Sequence, residues 1–161
     1  MKTSLPNNIY TSQDLKALII EVRRYAKWYR QTSVKDQVSG SKSLEPLTIA
    51  PEAAELINNW AKQQNLSAQS LDKLISELEA YENKAPRIVI TLAGPAPGSL
   101  KRAMAEWCRK NVAPNILVDF RFNATLLGGM VVQFGSHIHD WSFRRTIMAN
   151  RDKFPEILRN V

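Results

Sequence analysis

The chain reads as an α+β protein: a small N-terminal helical bundle followed by a C-terminal domain of order β-α-β-β-β-α. Three observations predict this. Up to Ala85 the apolar residues recur at three- and four-residue steps. At Ala85-Pro86 the texture changes, and RIVITLA opens a series of short β-branched segments. Those segments are joined partly through tight turns rather than by helices throughout, which favours α+β over a doubly wound sheet. The expected boundaries are 1–85 for the helical domain, with a loop at about 32–48, and 86–161 for the α+β domain.

The first helix is expected over 11–31. Leu15, Leu18, Ile19, Val22, Ala26 and Tyr29 form its stripe, and Thr11 with Asp14 resembles a capping box. Ile20 and Trp28 lie off the stripe, as if a second side were covered. From Thr32 to Leu47 the residues are Ser-rich with Gly40 and Pro46 and have no period, so they read as a loop. A second helix starts near Pro51 with Ala53, Leu56, Ile57 and Trp60 as its apolar face. A third follows Ser67 as N-cap, with Leu66 stapled to Leu71 and a stripe of Leu71, Leu74, Ile75 and Leu78. Three helices of this size make a thin core.

In the second half, Arg87 to Ala93 is a strand and GPAPGS a turn. Leu100, Ala103, Met104, Trp107 and Cys108 give a helical face that ends near Val112, before Pro114. Ile116, Val118, Phe120 and Phe122 alternate with Leu117, Asp119 and Arg121, the pattern of a half-buried strand. A further strand runs from Gly129 to Phe134, a Gly135-Ser136 turn follows, and a short strand covers 137–140. The last helix begins near Asp140 or Ser142 with Phe143 and Ile147 as its apolar face, and Pro155 is expected to break or restart it.

Composition excludes several classes. The chain has 161 residues, of which 44% are hydrophobic and 23% charged, values of a folded globular protein. Its single cysteine, Cys108, rules out an internal disulfide and a Cys-rich metal site. Apolar runs such as 126–132 fall far short of the ~20 residues of a membrane span. MKTSLPNNIY lacks the apolar core of a secretory signal, so a cytoplasmic location is expected. The net charge of +7 is uneven. Residues 1–86 carry 11 Lys and Arg against 10 Asp and Glu, whereas 87–161 carry 11 against 5. A basic surface of this kind either meets an anionic partner, with nucleic acid, anionic lipid and an acidic protein helix all open, or simply keeps the protein soluble.

Candidate chemistry is sparse. His137 and His139 share a strand face and adjoin Asp140, but a catalytic zinc site needs a further ligand and an orienting shell, so solvent-facing histidines are the expected reading. Cys108, on an apolar helix face, reads as a buried inert thiol rather than a nucleophile. Ser99 in PGSLKR begins a helix without the phosphate-loop pattern and reads as a cap. No cofactor is implied. Gly128-Gly129 inside an apolar run signals either a bend or close approach by another backbone or helix. Arg144 and Arg145 follow on the first turn of the last helix, where positive charge opposes the helix dipole; they read either as a solvated basic face or as a docking pair that asks for an external anion.

The run NATLLGGMVVQFGSHIHDWSFRR resembles the hallmark of the delta subunit of F-type ATP synthase, the family of the mitochondrial oligomycin-sensitivity-conferring protein. The residues that carry the resemblance are Leu126-Leu127, Gly128-Gly129, Met130 to Phe134, Gly135, Ile138, Asp140, Ser142 and Arg144. The strand-helix-strand order from Arg87 to Phe122 is also the family's, and Leu56 to Leu78 resembles the last two helices of its N-terminal bundle. The family usually has Asp-Pro where Asn123-Ala124 stands here, often Arg at the place of Gln133, and six bundle helices rather than three.

The resemblance implies a non-catalytic stator subunit, peripheral on the cytoplasmic side of the cell membrane as part of the ATP synthase. Its helical half would bind the N-terminal helices of the alpha subunits through Trp28, Tyr29 and Trp60. Its basic half would hold the C-terminal helix of the b subunit around Gly128, Gly129, Arg144 and Arg145. The rival class is a basic nucleic-acid-binding module, against which stand scattered cations and the lack of an aromatic-basic strand signature. An enzyme would rest on His137, His139 and Asp140 alone.

Overall fold

A computed structural model describes residues 6, 8–39, 47–153 and 159. It is α+β, with N-terminal helices followed by a region built on a four-stranded mixed sheet. The chain divides into two compact units, Met1–Ala85 and Pro86–Val161.

The described residues of the first unit form three helices: α1 (Ser12–Ser39), α2 (Pro51–Gln63) and α3 (Ala68–Lys84). Thr11 and Asp14 cap α1 reciprocally, the Thr11 hydroxyl accepting from the Asp14 N–H at 3.0 Å and the Asp14 carboxylate from the Thr11 N–H at 3.1 Å. Ser67 and Ser70 form the same kind of box at α3. The core is Leu15, Leu18, Ile19, Val22 and Ala26 from α1 against Ala53, Leu56, Ile57 and Trp60 from α2 and Leu71, Leu74 and Leu78 from α3. Each fully buried large apolar side chain contributes about 1.5–3 kcal/mol. Lys16–Glu82, Arg23–Glu79 and Arg30–Asp72 line the flank of α1 and α3 at seven-residue steps along α1. Exposed pairs of this kind are worth roughly 0–1 kcal/mol each, and their ordered sequence suits an antiparallel register.

Two expectations change here. Helix α1 does not end at 31 but continues to Ser39, through half of the stretch expected to be a loop. The Thr32 and Ser33 hydroxyls donate to the carbonyls of Trp28 and Tyr29 four residues back, so these turn-prone residues are satisfied inside the helix. The rest of that stretch, 40–46, lies outside the described residues. Ile20, off the α1 stripe, is 61% exposed rather than covered on a second side.

The second unit contains β1 (Arg87–Leu92), α4 (Gly98–Asn111), β2 (Leu117–Phe122), a 3-10 turn at Ala124–Leu126, β3 (Gly129–Phe134), β4 (His137–Ser142) and α5 (Phe143–Ala149). The strand order is β2-β1-β3-β4. β1 and β2 are parallel and joined through α4, while β3 runs antiparallel to both β1 and β4. Only β3–β4 is a hairpin, because β3 crosses past β1 instead of pairing with β2. Pro97 takes the N-cap position of α4 without a side-chain cap, and Ser99 lies inside the helix rather than capping it. Ser142 caps α5, its hydroxyl accepting from the Arg145 N–H at 3.2 Å. No residue of α5 is buried, so its expected apolar face stays largely exposed. Pro155 lies outside the described residues.

Candidate functional site

The register places side chains on two faces of the sheet. Pairings Ile88↔Val118, Ile90↔Phe120, Ile88↔Phe134, Ile90↔Val132, Leu92↔Met130, Val132↔His139 and Met130↔Trp141 put all these residues on one face. Helix α4 lies on that face, burying Ala105 and Cys108 and bringing Lys101 to 6.0 Å from the Phe120 ring of β2. A four-stranded sheet is ~19 Å wide at about 4.8 Å per strand, whereas packed helices lie 8–10 Å apart. One helix therefore covers two strands. α4 packs over the β2 side, and beside it a groove of about 450 Å³ stays open, running from Ile88 and Ile90 of β1 across β3 to Trp141 of β4.

The groove is apolar on both walls. The sheet supplies Met130, Val132 and Trp141; α4 supplies Met104 and Trp107. Trp107 is 62% and Trp141 57% exposed, so two of the largest apolar side chains in the unit stand in solvent at its edges. His139 stacks on Trp141 with ring centroids 5.6 Å apart and planes 13° from parallel. The groove's lining is apolar and open to solvent, the chemistry that an amphipathic helix presents its apolar face to.

The residues singled out by sequence fare differently. Gly129 does mark a close approach, but by the chain's own β4: a Cβ there would lie 2.2 Å from the Trp141 carbonyl oxygen, and its φ is +74°. A Cβ on Gly128 would lie 2.4 Å from the Phe143 ring, with φ at +154°. Both glycines leave room for the unit's own packing, Gly128 for the Phe143 ring and Gly129 for the β4 backbone. Arg145 has internal acceptors as well, donating to the Asp140 carbonyl at 2.9 Å. Hydrogen bonds from Ser142 hold the Asp140 carboxyl below its ordinary range, helped by Arg145 and Arg144.

In the helical unit, Trp60 is 1% exposed and donates its indole N–H to the Ser70 carbonyl at 3.1 Å. It is core, not a docking residue. Trp28 and Tyr29 are half-buried, Trp28 lying 5.5 Å from the Tyr25 ring and Tyr29 donating its hydroxyl to the Leu66 carbonyl at 3.0 Å.

His137 and His139 are exposed, and among the described residues no group of three His, Cys, Asp or Glu could hold a metal. Cys108 is buried at the base of the groove, and burial pushes its thiol pKa up. No helix among the described residues is long and apolar enough to cross a membrane. Compared with family models and with curated proteins, the chain matches none.

Sequence reasoning misses Trp107 and Trp141 as site residues. The signal is available: Trp107 falls on the apolar stripe of its helix, and Trp141 alternates with Asp140 and Ser142 in a strand. What sequence alone lacks is the number of helices that share the sheet face.

Proposed function

We propose that the chain is a delta-like stator subunit of an F-type ATP synthase, a non-catalytic link between the catalytic head and the b-subunit stalk. The observation that carries this reading is the open apolar groove beside α4 in the basic half of the chain. A unit that leaves two tryptophans in solvent beside an apolar groove is built to be completed by another helix. The excess of cations in residues 87–161 favours an acidic helix as that partner, with charge steering the encounter and apolar burial supplying most of the affinity. The resemblance of 123–145 to the family's hallmark names that helix as the C-terminal end of the b subunit.

The helical unit supplies the second contact, to the N-terminal helices of the alpha subunits, around half-buried Trp28 and Tyr29. Its core is closed by Trp60, so this contact rests on its surface and not on an incomplete interior.

The test is calorimetric binding of the full chain to a C-terminal fragment of the b subunit. Trp107→Ala and Trp141→Ala are each expected to weaken binding at least tenfold while leaving the circular dichroism unchanged. Wild-type binding by both variants would remove the seat as the docking surface. Absence of binding by the wild type would remove the stator reading.

A further inference from the structure

A second apolar surface, outside the lining of the groove, lies where the 3-10 turn before β3 meets α5, and its geometry is unusual. Leu127 ends the 3-10 turn with φ +63° and ψ −9°, the left-handed region. A bulky residue there is strained, and Gly or Asn is the ordinary occupant. The leucine gains no burial in exchange, being 65% exposed. Strain held without an internal return is characteristic of positions shaped for contact with something else.

The surroundings repeat the pattern. Phe143, Ile147 and Met148 of α5 are 59%, 42% and 60% exposed. Phe143 is fixed in place, its N–H donating to the Gly128 carbonyl at 3.1 Å and its ring lying where Gly128 has no side chain. The surface is thus preformed. Arg144, Arg145, Arg151 and Lys153 belong to the same segment, against Asp140 and Asp152. The Asp140 carboxylate already accepts from the Ser142 N–H at 2.8 Å.

We propose that Leu127 and the exposed side of α5 form a second docking surface, distinct from the groove beside α4, for an acidic amphipathic helix. Its apolar ridge packs on Leu127, Phe143 and Ile147, the last two sharing one face of α5 at i,i+4, and its flanking carboxylates meet Arg144 and Arg151. The identity of that helix as part of the stalk rests on the stator reading; the surface itself does not.

Leu127→Asn separates docking from folding. Asparagine tolerates the left-handed conformation, so the variant relieves strain while deleting the apolar contact. The full chain is titrated by calorimetry with two probes: the C-terminal fragment of the b subunit and a designed helical peptide with a leucine face flanked by glutamates. The expected result is an unchanged or raised thermal midpoint with at least tenfold weaker binding of the designed peptide. Loss for that peptide when the b fragment does not bind even the wild type leaves this surface standing and removes the stator reading. Wild-type affinity of Leu127→Asn for the designed peptide overturns the inference and leaves the stator reading to the b fragment. A lowered midpoint overturns it too, because Leu127 then packs within the chain. So does a Leu127-dependent self-association in sedimentation, or Leu127-dependent binding confined to vesicles containing phosphatidylglycerol, which would assign the surface to a second copy or to lipid.

Discussion

The two units solve the same problem differently. Three helices suffice to close the first: its tryptophan on α2 is buried, α1 and α3 are capped reciprocally, and among its described large hydrophobic residues only Ile20 is strongly exposed. The second has a sheet, more β-branched sequence and two helices, yet Leu100, Trp107, Phe122, Leu127, Trp141, Phe143, Ile147 and Met148 all lie at 42% exposure or more. Thinness of sequence is therefore a poor guide to incompleteness. A bundle closes when each helix turns one stripe inward, whereas a sheet face closes only when enough helices cover its width. The half that looks richer in structure is the one that leaves more apolar surface uncovered.

The contrast is broken most sharply at Trp60. Trp60→Ala empties a fully buried site and removes the indole N–H that donates to the Ser70 carbonyl. Such truncations cost about 3–5 kcal/mol, and urea unfolding followed by circular dichroism is expected to show a loss of that size. Trp107→Ala and Trp141→Ala, at exposed positions, are expected to fall within about 0.5 kcal/mol of wild type in the same experiment. If they cost as much as Trp60→Ala, the groove is part of a closed core and the distinction between the units collapses.

Gly129→Ala comes next. The new Cβ meets the Trp141 carbonyl oxygen, a backbone atom that moves only by opening the β3–β4 pairing, at a φ unfavourable to alanine. A loss of about 1–3 kcal/mol is expected, read as faster amide exchange confined to β3 and β4. The same clash makes any large residue at 129 unsuitable as a probe of docking. Ser142→Ala removes the cap of α5 and is expected to cost about 0.5–2 kcal/mol, visible as exchange in 143–149.

The smallest effect is the pH dependence of the same corner. The Asp140 carboxyl lies below its unfolded value, near 3.9, through hydrogen bonds from Ser142 and then the charges of Arg145 and Arg144. A depressed carboxylate stabilises the fold above the unfolded pKa, and the contribution is lost as pH falls below that value through the folded one. Thermal midpoints measured from pH 5 downward are expected to decline less in Asp140→Asn than in wild type. An equal decline would place the acid sensitivity elsewhere.

Much of the fold is legible in the amino-acid order alone. The apolar stripes at Leu15 to Ala26, Ala53 to Trp60 and Leu71 to Leu78 set the helix faces, because a helix in water has one side to bury. The change at Ala85-Pro86 sets the division, and Ser67 and Ser142 set two helix starts through the orphan N–H groups that a hydroxyl can satisfy. The extent of α1 is not legible, because Thr32 and Ser33 can bond to a helix carbonyl as readily as to a turn. Nor is the purpose of Gly128 and Gly129: sequence shows that side chains are missing but not what fills the space, and the tertiary fold puts Phe143 and the Trp141 carbonyl there. The uncovered apolar surfaces belong wholly to that second category. Periodicity assigns each apolar residue to a face, but only the assembled sheet decides how many neighbours are present to cover it, and here it leaves Trp107, Trp141 and Leu127 in solvent.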